Sequence, residues 1–368
     1  MDRYPATTAG VPVMTGAYRR PGRLLPTLVG ALLSATLLAS CVNPEIDTSA
    51  TMDDMYPRIN PEAGPPLPPG SKVEAPGTVP ARPVITDTWE GSLSPDDRQP
   101  KERVPEIFQR GRLIVGVDQS KNLLSFRDPV SGQLRGFEVQ LAKEIARDIF
   151  GNPEAVDFRF IEAGDSLRGL SRGDVDMVIR SVSVTEDRLR RMEFSTPYMR
   201  TQTRLLVMDN SGIQGIEDLA GNTVCVADGS TALQKTRAMA PESSILRTRN
   251  WSDCLMALQQ QQAQAILGDD AVLAGIAAQD PYTRILPSIL AWESYAVAIA
   301  PSRASRDTTG LVRQVNATME RIQEDTTWWS MFNDWFGQHL YTYGPPPLQY
   351  RDEPQAEDGD DGETDDGQ

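Results

Sequence analysis

Residues 181–198 read SVSVTEDRLRRMEFSTPY. Hydroxyls alternate with valines from Ser181 to Val184, so an extended strand would send both serines to one face and both valines to the other. Thr185 has the identity and position of a helix N-cap, and Arg188 would lie on the first turn behind it. Two readings follow. Either the segment is an ordinary strand end with a solvated arginine, or its hydroxyls and arginine share a role that the rest of the chain has to decide.

The flanking patterns place this segment in an α/β framework. Leu113 to Asp118 (LIVGVD) is an apolar run suited to a strand buried on both faces. Gly136 and Phe137 lead into a helix with Leu141, Ala142, Ile145 and Ile149 on one face, and Gly151 ends it. A strand near Phe158 to Ile161, a helix through Leu167 and Leu170, and a strand over Val175 to Val184 complete a βαβαβ series, which implies a parallel sheet. A second cycle has strands at Leu205–Met208, Thr223–Ala227 and Ala265–Gly268, with helices around Leu233 and over Leu255–Gln262. A strand over Tyr295–Ala300 and a helix over Leu311–Ile322 follow. Trp328, Trp329, Phe332, Trp335 and Phe336 then read as the core-facing stripe of a last helix.

Composition narrows the function. The 368 residues leave room for two domains and tails. Lys+Arg number 36 against 51 Asp+Glu, so the basic footprint of a nucleic-acid binder is missing. His339 is the one histidine, which disfavours imidazole-based metal sites and a histidine triad. No metal or cofactor is expected.

The ends of the chain read as addresses and spacers. Arg19, Arg20 and Arg23 precede the apolar run Leu24–Leu38, which closes on Leu38-Ala39-Ser40-Cys41. A basic region, a short apolar region and small residues describe an export signal over residues 1–40. The cysteine makes the ending similar to the lipobox of bacterial lipoproteins, with Cys41 as the lipidated first residue of the mature chain. Cys225 and Cys254 remain, and in an oxidising compartment a disulfide is the expected pairing, with two buried thiols as the alternative. Residues 41–103 are proline-rich without apolar periodicity and predict an extended tether. Residues 338–368 predict a proline-rich and then acidic disordered tail, with nine acids and no base over 352–368.

Taken in order, LIVGVDQSKNLLSF, GQLRGFEVQLAKEIA, GDVDMVI, the opening segment, GSTAL and AILGDD resemble the polar amino-acid family of bacterial extracellular solute-binding proteins, over about residues 111–337. The likeness is greatest to actinobacterial glutamine- and glutamate-binding lipoproteins, which share the cysteine pairing. The resemblance implies a two-lobed periplasmic-binding-protein-like α/β fold with two hinge strands. Lobe 1 would hold residues 104–203 and 294–337, and lobe 2 residues 204–293. It implies a monomeric, non-enzymatic receptor, lipid-anchored on the extracellular face of the cytoplasmic membrane, that delivers glutamate, aspartate, glutamine or asparagine to an ABC importer. A sensor that reports an amino acid to a membrane receptor uses the same lobe closure, and a catalytic member of the fold is a third class.

Residue by residue, the resemblance assigns Arg188 to the ligand carboxylate, as a planar two-pronged donor. Ser183 and the N–H groups of Ser230 and Thr231 at a helix start would complete that shell. Asp269 would accept from the ammonium, with Asp270 the alternative register, and Ser181 would add an acceptor. Lys121 and Arg180, where relatives usually carry an aromatic and a small residue, would receive a distal carboxylate. Asp118 would select an amide or orient Lys121.

Overall fold

The computed structural model describes residues 64–353, except 87, 304 and 305. The signal segment, Cys41 and the acidic end of the tail lie outside the described residues. Within them the chain builds two α/β lobes.

The sheet of lobe 1 has five strands in the order Val156–Phe160, Leu113–Val117, Met177–Val178, Ala298–Ile299, Glu193–Phe194. The first three run parallel. The strand Ala298–Ile299 returns from the far end of the chain and pairs antiparallel with both neighbours. The helix Phe137–Phe150 packs its predicted stripe inward, with Leu141, Ala142 and Ile145 fully buried, and ends at Gly151 with φ 70°. Trp328, Phe332 and Phe336 are buried beneath it, and Trp328 Nε1 donates to the carbonyl of Tyr198 at 2.8 Å. Trp329 falls on the outer side of the same helix and Trp335 at its margin, half-buried and donating to Gln140 Oε1 at 3.0 Å, because five aromatics in nine residues exceed one helical face.

Lobe 2 is a seven-stranded sheet. Its parallel centre is Ser244–Thr248, Thr223–Ala227 and Ala265–Asp269. Cys225 on the middle strand is disulfide-bonded to Cys254 on the helix Trp251–Gln259, with Cα atoms 5.5 Å apart. On the chain-entropy account a bridge over such a loop stabilises by roughly 3–4 kcal/mol.

Two strands connect the lobes. Met199–Met208 pairs antiparallel with Ala265–Asp269, and Ala291–Tyr295 pairs antiparallel with Met199–Met208. Tyr198 and Tyr295, at the lobe 1 end of this ribbon, are fully buried and their ring centroids are 6.2 Å apart.

The proline-rich flanks depart from the expectation of a free tether and tail. The described residues between 65 and 103 fold onto both lobes. Lys72–Glu74 adds an antiparallel edge strand to Ser244–Thr248. Buried Glu74 accepts from Arg237 Nε and Nη2, both at 2.7 Å. Further on, Ser92 Oγ donates to the carbonyl of Phe194 at 2.6 Å, and Asn316 Nδ2 donates to the carbonyl of Leu93 at 2.6 Å. The C-terminal flank lies beside it: Ser92 bridges to Tyr350, Tyr350 Oη donates to Glu320 at 2.8 Å, and Glu353 pairs with Arg313. These segments carry single anchoring side chains at irregular intervals, which no periodicity can reveal.

Candidate functional site

The carboxyl ends of the parallel strands of both lobes face one cleft, where open α/β sheets place their ligands. The lobes touch across it. Asn122 Nδ2 donates to the carbonyl of Gly275 at 3.1 Å, Ser252 Oγ donates to the carbonyl of Ser120 at 3.0 Å, and Arg249 pairs with Glu162 at 2.5 Å.

Thr185 caps the short helix Glu186–Leu189, its side chain accepting from the N–H of Arg188 at 3.4 Å. Arg188 Nη1 donates to the carbonyl of Ser183 at 2.8 Å, which fixes the direction of the guanidinium. Burial lowers its pKa from the ordinary arginine value, while Glu293 and Asp269 push it back up. Arg188 therefore stands within the electrostatic reach of Asp269 on lobe 2.

Ser181 departs from the strand geometry. Its φ is 59°, in the left-handed region, so the alternation of hydroxyls stops there. Its N–H donates to Tyr198 Oη at 3.1 Å and its Oγ donates to Glu138 Oε1 at 2.8 Å. Tyr198 Oη donates to the same carboxylate oxygen at 2.7 Å. The hydroxyl proton is thus committed to Glu138, and the oxygen keeps its lone pairs as acceptors. Ser183 forms an antiparallel bridge with Tyr295.

On lobe 2, Ser230 is the N-cap residue of the helix Thr231–Met239. Its own N–H and Oγ both donate to the carbonyl of Ala227, at 3.3 and 2.6 Å. The first helical N–H, that of Thr231, faces outward from the start of the helix, where an anion is favoured.

Asp269 ends the strand Ala265–Asp269. Its Oδ2 accepts from Tyr295 Oη at 2.7 Å and its Oδ1 from Thr203 Oγ1 at 3.1 Å. Lys235 Nζ donates to the same Thr203 hydroxyl at 2.5 Å and pairs with buried Glu293. Burial raises the pKa of Asp269 to about 7, with the charge of Glu293 adding to the shift and Lys235 opposing it. Asp270 accepts from Thr201 Oγ1 and the N–H of Gln202, and it lines a cavity of about 580 Å³ with Arg200, Arg204, Trp292 and His339. Both acids thus accept from threonines that alternation puts on one face of the first hinge strand, and Asp270 also borders the cavity beside Arg200 and Arg204.

Asp118, Lys121 and Arg180 gather into one buried cluster. Arg180 Nη2 pairs with Asp118 Oδ2 at 2.5 Å, and Lys121 Nζ donates to the carbonyl of Arg180 at 2.8 Å. Asp118 Oδ1 is held by the N–H groups of Gln119 and Ser120 and by Ser120 Oγ. Burial pulls the pKa of Lys121 down to about 8, with Arg180 adding to the shift. Asp118 therefore orients Arg180, not Lys121, and one guanidinium edge expected to face a ligand is turned onto a carboxylate.

Sequence reasoning missed Glu138, Thr203, Lys235, Glu293 and Tyr295. Glu293 and Tyr295 share one face of the hinge strand, so period-two alternation around Tyr295 was the available signal. Glu138 and Lys235 carried none, since each sits in an ordinary helical pattern.

Two lobes, two crossing strands and a cleft of opposed buried charges define a two-lobed binding protein. The chain belongs to the bacterial extracellular solute-binding proteins, family 3, which it matches over residues 113–338. It is 32% identical to the glutamine-binding protein of Geobacillus stearothermophilus, over 58% of this chain and 82% of that one. It is 26% identical to the glutamate-binding protein GluB of Corynebacterium efficiens, over 59% of this chain and 76% of that one. Among solved structures, a mutant of ArgBP from T. maritima is similar with a TM-score of 0.58 at 26% identity, covering 64% of this chain and all of that one.

The lobes approach closely at Gly275, where an added Cβ would lie 2.2 Å from the carbonyl oxygen of Asn122. Gly275→Val is expected to hold the lobes apart while leaving secondary structure intact. Small-angle scattering should show a larger radius of gyration than wild type, and circular dichroism an unchanged fold.

Proposed function

We propose that this chain is an extracellular, membrane-tethered receptor that captures a polar amino acid and hands it to an ABC importer by lobe closure. The observation that carries the reading is the opposition of Arg188 on lobe 1, held by the Ser183 carbonyl, and Asp269 on lobe 2, held by hydroxyls of both hinge strands. A carboxylate meeting Arg188 and the start of the helix Thr231–Met239 leaves its ammonium beside Asp269. The cleft carries Arg188, Arg180, Lys121 and Lys235 against Asp118, Glu138, Asp269 and Glu293, a balance that suits a zwitterion. Lys121 keeps ammonium N–H groups beyond its bond to the Arg180 carbonyl, which favours an oxygen-bearing side chain, as in glutamate or glutamine. The glutamine- and glutamate-binding relatives agree with that class.

Both charged ends of the ligand lose water when the lobes close, so removing one partner leaves a buried charge unmatched. Such truncations cost about 2–5 kcal/mol, roughly 30- to several thousand-fold in affinity. Arg188→Ala and Asp269→Ala should each weaken L-glutamine and L-glutamate by that order in calorimetry. Lys121→Ala should weaken L-glutamate much more than L-glutamine. Binding by folded Arg188→Ala within about threefold of wild type, well under 1.4 kcal/mol, would refute the clamp.

The titrating groups give the clamp a pH signature. An ammonium pairs with ionised Asp269, so below about 7 the ligand must expel a proton and affinity falls as pH is lowered. Above about 8 Lys121 loses its charge, and affinity for an acidic side chain falls again. The dissociation constant of L-glutamate is expected to pass through a minimum between these values. Glu293→Gln removes the neighbouring negative charge and should move the acid limb to lower pH. An acid limb that stays in place would show that Asp269 does not set it.

The tether is proposed from the ending Leu-Ala-Ser-Cys at Cys41. Mass spectrometry of the exported protein is expected to find an acylated N-terminal cysteine, and an unmodified N-terminus at another residue would overturn the anchor.

A further inference from the structure

The family match begins at residue 113, yet the described residues between 65 and 94 are folded onto the lobes. Their path is informative. The segment is fixed to lobe 2 by the Lys72–Glu74 strand and by Gln262 Nε2, which donates to the carbonyl of Pro65 at 2.8 Å. It is fixed to lobe 1 by Trp89 against that lobe's core and by the buried hydrogen bonds of Ser92. Between these ends it touches one helix from each lobe. The N–H of Arg82 donates to Gln234 Oε1 at 2.8 Å, on the helix Thr231–Met239 of lobe 2. Three residues later, the carbonyl of Ile85 accepts from the N–H of Glu186 at 2.9 Å, at the first position of the lobe 1 helix that carries Arg188.

Arg82 and Ile85 therefore join the two helices that flank the proposed carboxylate position. Pro83 lies between them, and its locked φ, with the extended conformation it imposes on Arg82, lowers the entropy of holding this bridge. The two hinge strands cross elsewhere, through Met199–Met208 and Ala291–Tyr295, so this is a third stretch of chain that crosses between the lobes, in addition to the direct contacts Asn122–Gly275, Ser252–Ser120 and Arg249–Glu162.

We propose that Arg82–Ile85 is a clasp across the carboxylate end of the cleft, which favours the closed arrangement and slows departure of the bound amino acid. The statement about closure stands on geometry alone, and the statement about departure rests on the function proposed above. When the lobes part, the helices separate and at least one of the two hydrogen bonds must break. Opening is thereby made less favourable, and the exit rate is affected more than the strength of the charged contacts inside the cleft.

Both anchors can be removed without touching the ligand shell. Gln234→Ala deletes the acceptor of Arg82. Glu186→Pro deletes the donor to Ile85 at a first helical position, where proline is well accommodated, and Thr185 before it is already extended. The test uses the full chain with spin labels on exposed Gln133 of lobe 1 and Gln260 of lobe 2. The double variant is expected to add a longer-distance population, and L-glutamine should leave it at least about fivefold faster in stopped flow, a change of about 1 kcal/mol. Gln234→Ala alone should show a smaller change in the same direction, which keeps the test decisive if the double variant folds poorly. Distance distributions that superimpose on wild type overturn the clasp. A longer-distance population with an exit rate within about twofold of wild type, about 0.4 kcal/mol, overturns its effect on departure. The label distances require no amino acid, so failure of wild type to bind any amino acid would defeat the functional reading and leave the clasp to be judged on distances.

Discussion

Asp269 is gripped by one hydroxyl from each of the two strands that connect the lobes. Thr203 belongs to the first hinge strand and Tyr295 to the second, and both donate to the Asp269 carboxylate. A buried carboxylate without such donors would be strongly disfavoured. The consequence is that the charge at the centre of the cleft and the ribbon about which the lobes move form one unit. Lys235 and Glu293 extend it, since Lys235 holds the Thr203 hydroxyl from behind and pairs with Glu293 on the second hinge strand.

This arrangement sets the electrical state of the cleft. Glu293 and burial together keep Asp269 close to its midpoint at neutral pH, so a modest electrostatic change decides whether it is charged. Arg188 approaches from lobe 1 and is held by the Ser183 carbonyl within the same chain turn. Lobe 1 contributes a second unit of this kind, in which Tyr198 and Ser181 both donate to Glu138. Tyr198 and Tyr295, both fully buried, pack at a 49° tilt between the two units, so the hinge end of the cleft is packed like a core. Hinge motion then acts on groups whose positions are already fixed, which is what a binding site on moving lobes requires.

The flanking segments add a layer that the lobes themselves do not contain. Glu74 seals the edge of the lobe 2 sheet through two arginines, and residues near Ser92 and Tyr350 close over lobe 1. An open sheet edge invites pairing with another chain, and the Lys72–Glu74 strand covers one.

Sequence alone determined the parallel frameworks of both lobes, because apolar runs such as Leu113–Val117 and the stripe of Phe137–Phe150 carry their burial in their own periodicity. Residue type also gave the Thr185 cap and made a Cys225–Cys254 bridge the expected pairing, and the structure shows both, the bridge in place of two buried thiols. Only tertiary structure decided which way the polar groups of the cleft turn. Ser181 adopts a left-handed backbone and bonds Glu138, 43 residues away, and Arg180 turns onto Asp118, 62 residues away. Nor could composition show that the proline-rich flanks fold. Periodicity reports how one element meets a core, whereas a hydrogen bond between distant residues depends on where the whole chain brings them, and no local pattern encodes that distance.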